Sequence, residues 1–577
     1  MVRRASPLTN RDLPGAVPRS PRVRPQVSRK LRSPMYVQVY TTLRAWIYEG
    51  LYAPGAKLPA ENQLSAMFGV SRITTRQAIT PAGVPTVFEG RVHGVQFSAE
   101  SSEVWVLHAQ RLYKLNWREN KIVENIPVGG APGLQAIAYD VTTQRPYIGV
   151  TTRGAQGGDV QFLSADGSKI VPMAQGLGKF LSGAPAIAAK PNAKGQRLAV
   201  LPLIYNNKLA VMNLGQSGNL GLVPTGIAPF AAVISADGSS AWVSNWGGRL
   251  PKAGDLTAAT GLDKSADQVV VDARGVASTG SVTRIDLNTL TPVAQIPVQL
   301  QPTALMLDET RKRLYVANSN SDTISVVDAA KNTVLTHITL RPFAVSARGI
   351  APLALALAPK GETLYVACAG INAVLVINPL TGAMRGMIPT AWYPNSLSLS
   401  LDGKRLAVGA LLGAGSAWRE APTKRFVHAN RGSVAVIEIP DAAELANYTT
   451  AVLENNHQQG AGIPAKPMLS AKPKAIPARS GEPSLIEHVV YIVKENRTYD
   501  QVLGDLGKGN GDPSMTMFGE DVTPNHHALA HDFVTLDNLY ATGGNSGNGH
   551  QWVTQASETP YTPLARLRRP FLPLRWL

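Results

Sequence analysis

The sequence predicts a mainly β chain whose bulk is a seven-bladed β-propeller, with a small helical unit before it and an α/β fragment after it. Three observations carry that expectation. A short apolar phrase recurs through the middle of the chain at a nearly constant period. A helix-turn-helix pattern precedes the repeat. An apolar run ending in acidic and amide side chains follows it.

The repeat is the strongest signal. Its phrases are Val104-Trp105-Val106, Pro146-Tyr147-Ile148, Leu198-Ala199-Val200, Ala241-Trp242-Val243, Leu314-Tyr315-Val316, Leu364-Tyr365-Val366 and Leu406-Ala407-Val408. Most spacings fall near 42 to 52 residues, with one stretched gap between the fourth and fifth. That is the length a four-stranded blade needs. Turns such as Ala236-Asp237-Gly238 and Leu401-Asp402-Gly403 precede several phrases, as hairpins require.

Composition agrees. A chain of 577 residues exceeds one core, and sparse aromatics with abundant Gly and Pro favour turn-rich β structure. The single cysteine, Cys368, excludes an internal disulfide and a cysteine-built zinc site. The net charge is +17, and nine Lys/Arg against the lone acid Asp12 fall in residues 1–33. This arm, with Pro14, Pro18, Pro21 and Pro25, reads as disordered and would lengthen an electrostatic footprint on phosphates. It has no apolar run of the signal-peptide kind, and no later stretch approaches the roughly 18 apolar residues of a membrane span. The expectation is a cytoplasmic protein.

In residues 34–80, Val39, Leu43, Trp46 and Ile47 recur at helical spacing. Gly50 and Ala53-Pro54-Gly55 end that helix, and Leu64, Met67 and Phe68 form the inner face of a second. Gly69-Val70 makes a tight turn, and Ser71 is a natural N-cap for a third helix to about Ile79. Such a trio lays its last helix in the major groove. The wording KLPAENQLSAMFGVSRITTRQAI, residues 57–79, resembles the N-terminal domain of GntR-type transcription regulators. The resemblance implies that Arg72 and Arg76 contact bases or phosphates and that Ser71, Thr74 and Thr75 contact the DNA backbone. A guanidinium suits bidentate guanine contact, and hydroxyls at a helix start suit phosphate oxygens. GntR-type domains continue into a two-stranded wing, but here Pro81 and Pro85 break the pattern. DNA binding is therefore expected to be weak unless a homodimer compensates.

The blade wording RLYVANSNSDTISVVDAAKNTVL from Arg313 resembles YVTN-type propeller repeats, which places the propeller at residues 91–445. Propellers are scaffolds, so the ligand stays unidentified. The insertion 247–280 reads as a surface loop. Trp242, Trp392 and Tyr393 read as blade core or rim, with a binding face as the alternative.

Residues 446–484 read as a linker. In 485–562, Ile486 to Val493 has a buried-strand pattern ending on Glu495-Asn496-Arg497-Thr498-Tyr499-Asp500, where α/β folds build metal and phosphate sites. Further on come Asn525-His526-His527 and Ser546-Gly547-Asn548-Gly549-His550-Gln551-Trp552. These motifs resemble the bacterial phosphoesterases (phospholipase C and acid phosphatase members) of the alkaline phosphatase superfamily. The resemblance implies Glu495 and Asn496 as ligands of a divalent metal ion, Ser546 as nucleophile and His550 as support of the phosphate pocket. A cation would lower the pKa of the serine hydroxyl and neutralise a phosphate-ester substrate. Asn548 departs from the usual Asp, and the likeness fades after about Gln555 into an atypical tail, 563–577. The domain thus reads as truncated, and activity is not expected of it. The favoured reading is a GntR-type DNA-binding segment fused to a propeller and an inactive phosphoesterase remnant. The alternatives are a metal-dependent phosphoesterase with a foreign N-terminus, and a non-enzymatic propeller binding module.

Overall fold

The computed structural model describes residues 82–152, 158–260, 266–344, 349–414, 431–456, 469–477 and 481–537, with isolated positions elsewhere (39, 42, 43, 46, 67, 68, 458, 539, 546, 549, 550 and 553). Seven antiparallel four-stranded sheets follow one another, spanning 92–127, 131–174, 186–224, 227–298, 302–339, 352–389 and 392–438. The innermost strand of each blade touches those of its neighbours, and blade 7 returns to blade 1. The expected seven-bladed propeller is therefore what forms.

Each predicted phrase is the second strand of its blade, counted from the axis. Alternate side chains of that strand enter different cores. In blade 5, Leu314 and Val316 pack against blade 4, whereas Tyr315 and Ala317 pack against blade 6. Every blade is thus covered on both faces, so its central strands lack polar alternation. Seven such inter-blade cores follow one another round the ring.

The ring is closed by the chain's own beginning. The strand Val84–Val87 pairs antiparallel with Ser433–Glu438 as the outer strand of blade 7, Val84 opposite Val436 and Val87 opposite Ser433. Ala82 is buried, and its N–H donates to the Pro389 carbonyl at 3.1 Å. The propeller therefore starts before residue 91, where the repeats alone had put it. Its cause is pairing: the third strand of blade 7 has an open edge that this segment fills.

Three further expectations are corrected. The insertion 247–280 is no plain loop, because Thr257–Ala259 and Gln268–Val270 pair as a hairpin with Val269 and Val270 buried. The supposed linker begins with a helix, Ala442–Asn455, capped by Asp441 in a capping box with Glu444. Its Leu445, Tyr448 and Val452 pack on the propeller, and Thr449 Oγ1 accepts the Met387 N–H at 2.9 Å on the outer strand of blade 6. Finally, residues 486–493 form no strand: Val489, Val490, Tyr491 and Ile492 are 67 to 85% exposed. Among the described residues none pairs with this run, and a lone strand gains neither ladder bonds nor a covered face. Beyond it the described residues hold the short helices Tyr499–Leu503 and Pro524–Asp532, one 3₁₀ turn and isolated helical positions at 546, 549, 550 and 553, so the expected α/β sheet is not formed in the described part.

Candidate functional site

Of the N-terminal reader, only isolated positions are described. Val39, Thr42, Leu43, Trp46, Met67 and Phe68 are helical. Val39, Leu43, Trp46 and Phe68 are buried, with the Trp46 and Phe68 rings 5.4 Å apart. These are the apolar positions expected on the inner faces of the first two helices. Ser71, Arg72, Thr74, Thr75 and Arg76 lie outside the described residues, as do the basic arm 1–33 and the tail 563–577.

At the other end, four expected residues come together. His550 Nε2 donates to Glu495 Oε1 at 3.0 Å, and Ser546 Oγ donates to Asn496 Oδ1 at 3.3 Å. Ser546 and His550 are both helical and stand four residues apart in sequence. The His550 bond, with a further bond from Ser546, holds the Glu495 carboxyl below the usual range, so it is ionised at neutral pH. The site is open, the two side chains of the ion pair being 34 and 43% exposed. Among the described residues no three His, Cys, Asp or Glu gather as a metal cage. Glu495 and Asn496 alone, one carboxylate and one amide, do not fit a divalent ion, which needs more oxygen ligands than these two side chains supply. A second pair lies nearby: His527, buried, bonds Asp505 Oδ1 at 3.0 Å and the Thr523 carbonyl at 3.0 Å. It ties the helix Pro524–Asp532 to the turn after Tyr499–Leu503.

The centre of the propeller is closed. Between Pro132 and Ile137 the inner strand of blade 2 spends five steps opposite two on its partner, where blade 5 spends three between Pro302 and Leu305. The extra residues carry Leu134 and Gln135 inward, and Gln135 Nε2 donates to the Leu353 carbonyl of blade 6 at 2.9 Å. Blades 2 and 6 stand opposite in the ring, so this bond crosses the axis. Leu134, Ile204, Phe230, Trp246, Leu353, Tyr393 and Leu411 fill the space around it, with Trp392 packed against them. Trp242 is also buried, with the Arg284 guanidinium 5.3 Å from its ring centre. These aromatics are core, as expected, and not an open binding face. Beside the axis, burial pushes the His93 imidazole down to about 3, with Arg91 and His108 adding to it. It is therefore a neutral core histidine.

Sequence reading missed the marker of the axis. Pro185, Pro229, Pro302, Pro352 and Pro394 each stand at the entry to an inner strand. In the last four the preceding residue (Ala228, Gln301, Ala351 or Tyr393) has φ between +51 and +63°. The signal was present as X-Pro pairs one blade apart.

Comparison with known proteins resolves the first part of the chain. Residues 35–81 match the family model of bacterial regulatory proteins, gntR family. Over 47 residues the chain is 47% identical to the uncharacterized HTH-type transcriptional regulator YurK of Bacillus subtilis (strain 168), covering 8% of this chain and 19% of that protein. The chain thus spans about a fifth of the length of this curated relative. Among solved structures, Kuenenia stuttgartiensis hydrazine synthase aligns at 14% identity and a TM-score of 0.45, over 61% of this chain and 96% of that one. The chain therefore carries a GntR-type regulator domain at residues 35–81, followed at once by a seven-bladed β-propeller.

Proposed function

We propose that the chain is a DNA-binding regulator in which the reader is joined to the propeller with almost no spacer. The observation that carries this reading is the unbroken family match over residues 35–81. The buried positions of the first two helices support it. Arg72 and Arg76 are the base-reading candidates, with Ser71, Thr74 and Thr75 on the backbone. Affinity is expected to be weak, since the strand that follows the reader belongs to blade 7 and not to a wing. The test is anisotropy of the full chain on duplexes enriched from a random library. Arg72→Ala with Arg76→Ala should lower affinity for the enriched duplex by about tenfold or more and erase its advantage over random duplex. Undiminished discrimination by that variant would refute the reading.

A second reading is favoured by one observation, the convergence of Glu495, Asn496, Ser546 and His550. In it, ionised Glu495 takes the Ser546 hydroxyl proton as Oγ bonds to phosphorus, the P–O bond to the leaving alcohol breaks, and water then hydrolyses the phosphoserine to release phosphate and restore Ser546. Hydrolysis of an aryl phosphate by the full chain should then vanish in Ser546→Ala. Equal turnover by both proteins, or none above background, removes this reading.

A further inference from the structure

Residues 485–493 form the longest uncovered apolar run among the described residues. Its apolar side chains, Leu485, Ile486 and Val489 to Val493, are all exposed, Val490 the most at 85%. A folded chain keeps such surface small or hands it to a partner. The backbone is open as well: between residues 487 and 493 no N–H or carbonyl has a backbone partner among the described residues. The run is rich in β-branched residues and holds neither Pro nor Gly, so its composition favours strand pairing.

The charges at its ends say what it pairs with. Glu487 stands near the start and Lys494 just past the end, both exposed. The ion pairs nearby, Asp505 with His527 and Glu495 with His550, use neither of them. Lys494 Nζ donates instead to His526 Nε2 at 2.6 Å. A parallel copy of the run in register would set Glu487 on Glu487 and Lys494 on Lys494. An antiparallel copy reverses the ends. One register then sets Glu487 opposite Lys494, Val489 opposite Ile492 and Val490 opposite Tyr491, and each of these pairs occurs twice. Opposite charges, and branched side chains against branched or aromatic ones, are the cross-strand pairs that stabilise antiparallel strands. A ribbon of two strands also needs a covered face. The helix Pro524–Asp532 is fastened to Lys494 through His526, and Phe533, Val534 and Leu536 just past its end are exposed. Phe533 lies about 10 Å along that helix from His526, within reach of the ribbon.

We propose that this run docks antiparallel on the same run of a second copy of the chain, Glu487 facing Lys494, so that two chains share one ribbon. The occupant is a second copy because the run is complementary to its own reverse in charge and in side-chain shape. Growth stops at two. A third strand would lie about 10 Å from the first and point the same way, whereas a propeller of this length is about 50 Å across, so the two propellers crowd each other. The pairing is independent of what residues 35–81 bind.

The experiment is light scattering after size-exclusion chromatography of the full chain over a dilution series. Wild type should pass from twice the chain mass to the single mass as it is diluted. Glu487→Lys alone, or Lys494→Glu alone, sets like charges opposite each other at both ends and should weaken the dimer about tenfold or more. Mixed in equal amounts, the two variants should pair again, since one then supplies both positive ends and the other both negative ends. Val490→Asp should leave single chains whose propeller melts as wild type does. A wild type that stays single at every concentration overturns the proposal, and so does growth past two copies. Single variants that dimerise as tightly as wild type overturn the run as the interface. Variants that stay apart when mixed overturn the antiparallel register.

Discussion

Between blades 2 and 3, Arg197 reaches across to Asp140, whose side chain is 1% exposed. The carboxylate also accepts from Thr142 N at 2.9 Å and from Thr143 Oγ1 at 2.6 Å, while Arg197 Nε donates to the Ala188 carbonyl at 3.2 Å. Burial raises the Asp140 pKa, but the Arg197 and Thr bonds outweigh it and hold the group below the usual carboxylate range. Replacing one partner leaves the other charge stranded, at a cost of about 3 kcal/mol for a pair this buried. The folded pKa is depressed, so this contribution is present above the unfolded value of about 3.9 and is lost as pH falls through the folded one. Asp140→Ala should therefore melt well below wild type at neutral pH, and the gap should narrow below about pH 4. A gap that does not change with pH would mean the ion pair contributes nothing beyond packing.

At the scale of the element, legibility follows from what each segment packs against. The phrase Leu314-Tyr315-Val316 announced a strand because both of its faces are covered by neighbouring blades, and the same holds for the other six. The helical faces of Val39, Leu43 and Trp46 were legible through their spacing alone. The helix Ala442–Asn455 was lost in a polar stretch. Its only loud features are the capping pair Asp441 and Glu444 and the thin stripe of Leu445, Tyr448 and Val452. The run Ile486–Val493 failed in the opposite sense. Its composition is that of a central parallel strand, but composition cannot supply the two neighbours that such a strand needs. The contact of Glu495 with His550, fifty-five residues apart, was reached only through a family likeness, since no local pattern links them.

For the whole molecule, closure of the ring is the decisive step. Val84 and Val436 are roughly 350 residues apart in sequence, and bringing such ends together costs about 5 kcal/mol of chain entropy. The closing strand offsets this by completing the ladder of blade 7 and by covering Val434 and Val436, which are 1 and 7% exposed. It also places the reader's end at Ala82, so one stretch of chain serves both the ring and the attachment of the reader. These two roles can be separated by truncation. A chain beginning at Ala82 should keep the melting temperature of the propeller, because among the described residues none before it enters the propeller sheets. A chain beginning at Phe88 loses the whole strand Val84–Val87, bares the edge of Ser433–Glu438 and should melt at least about 5 °C lower, with self-association through the open edge. Calorimetry with size-exclusion chromatography reads both effects. Equal melting of the two truncations would show that contacts between the inner strands of blades 7 and 1 close the ring unaided, and the reader would then hang on a dispensable strand.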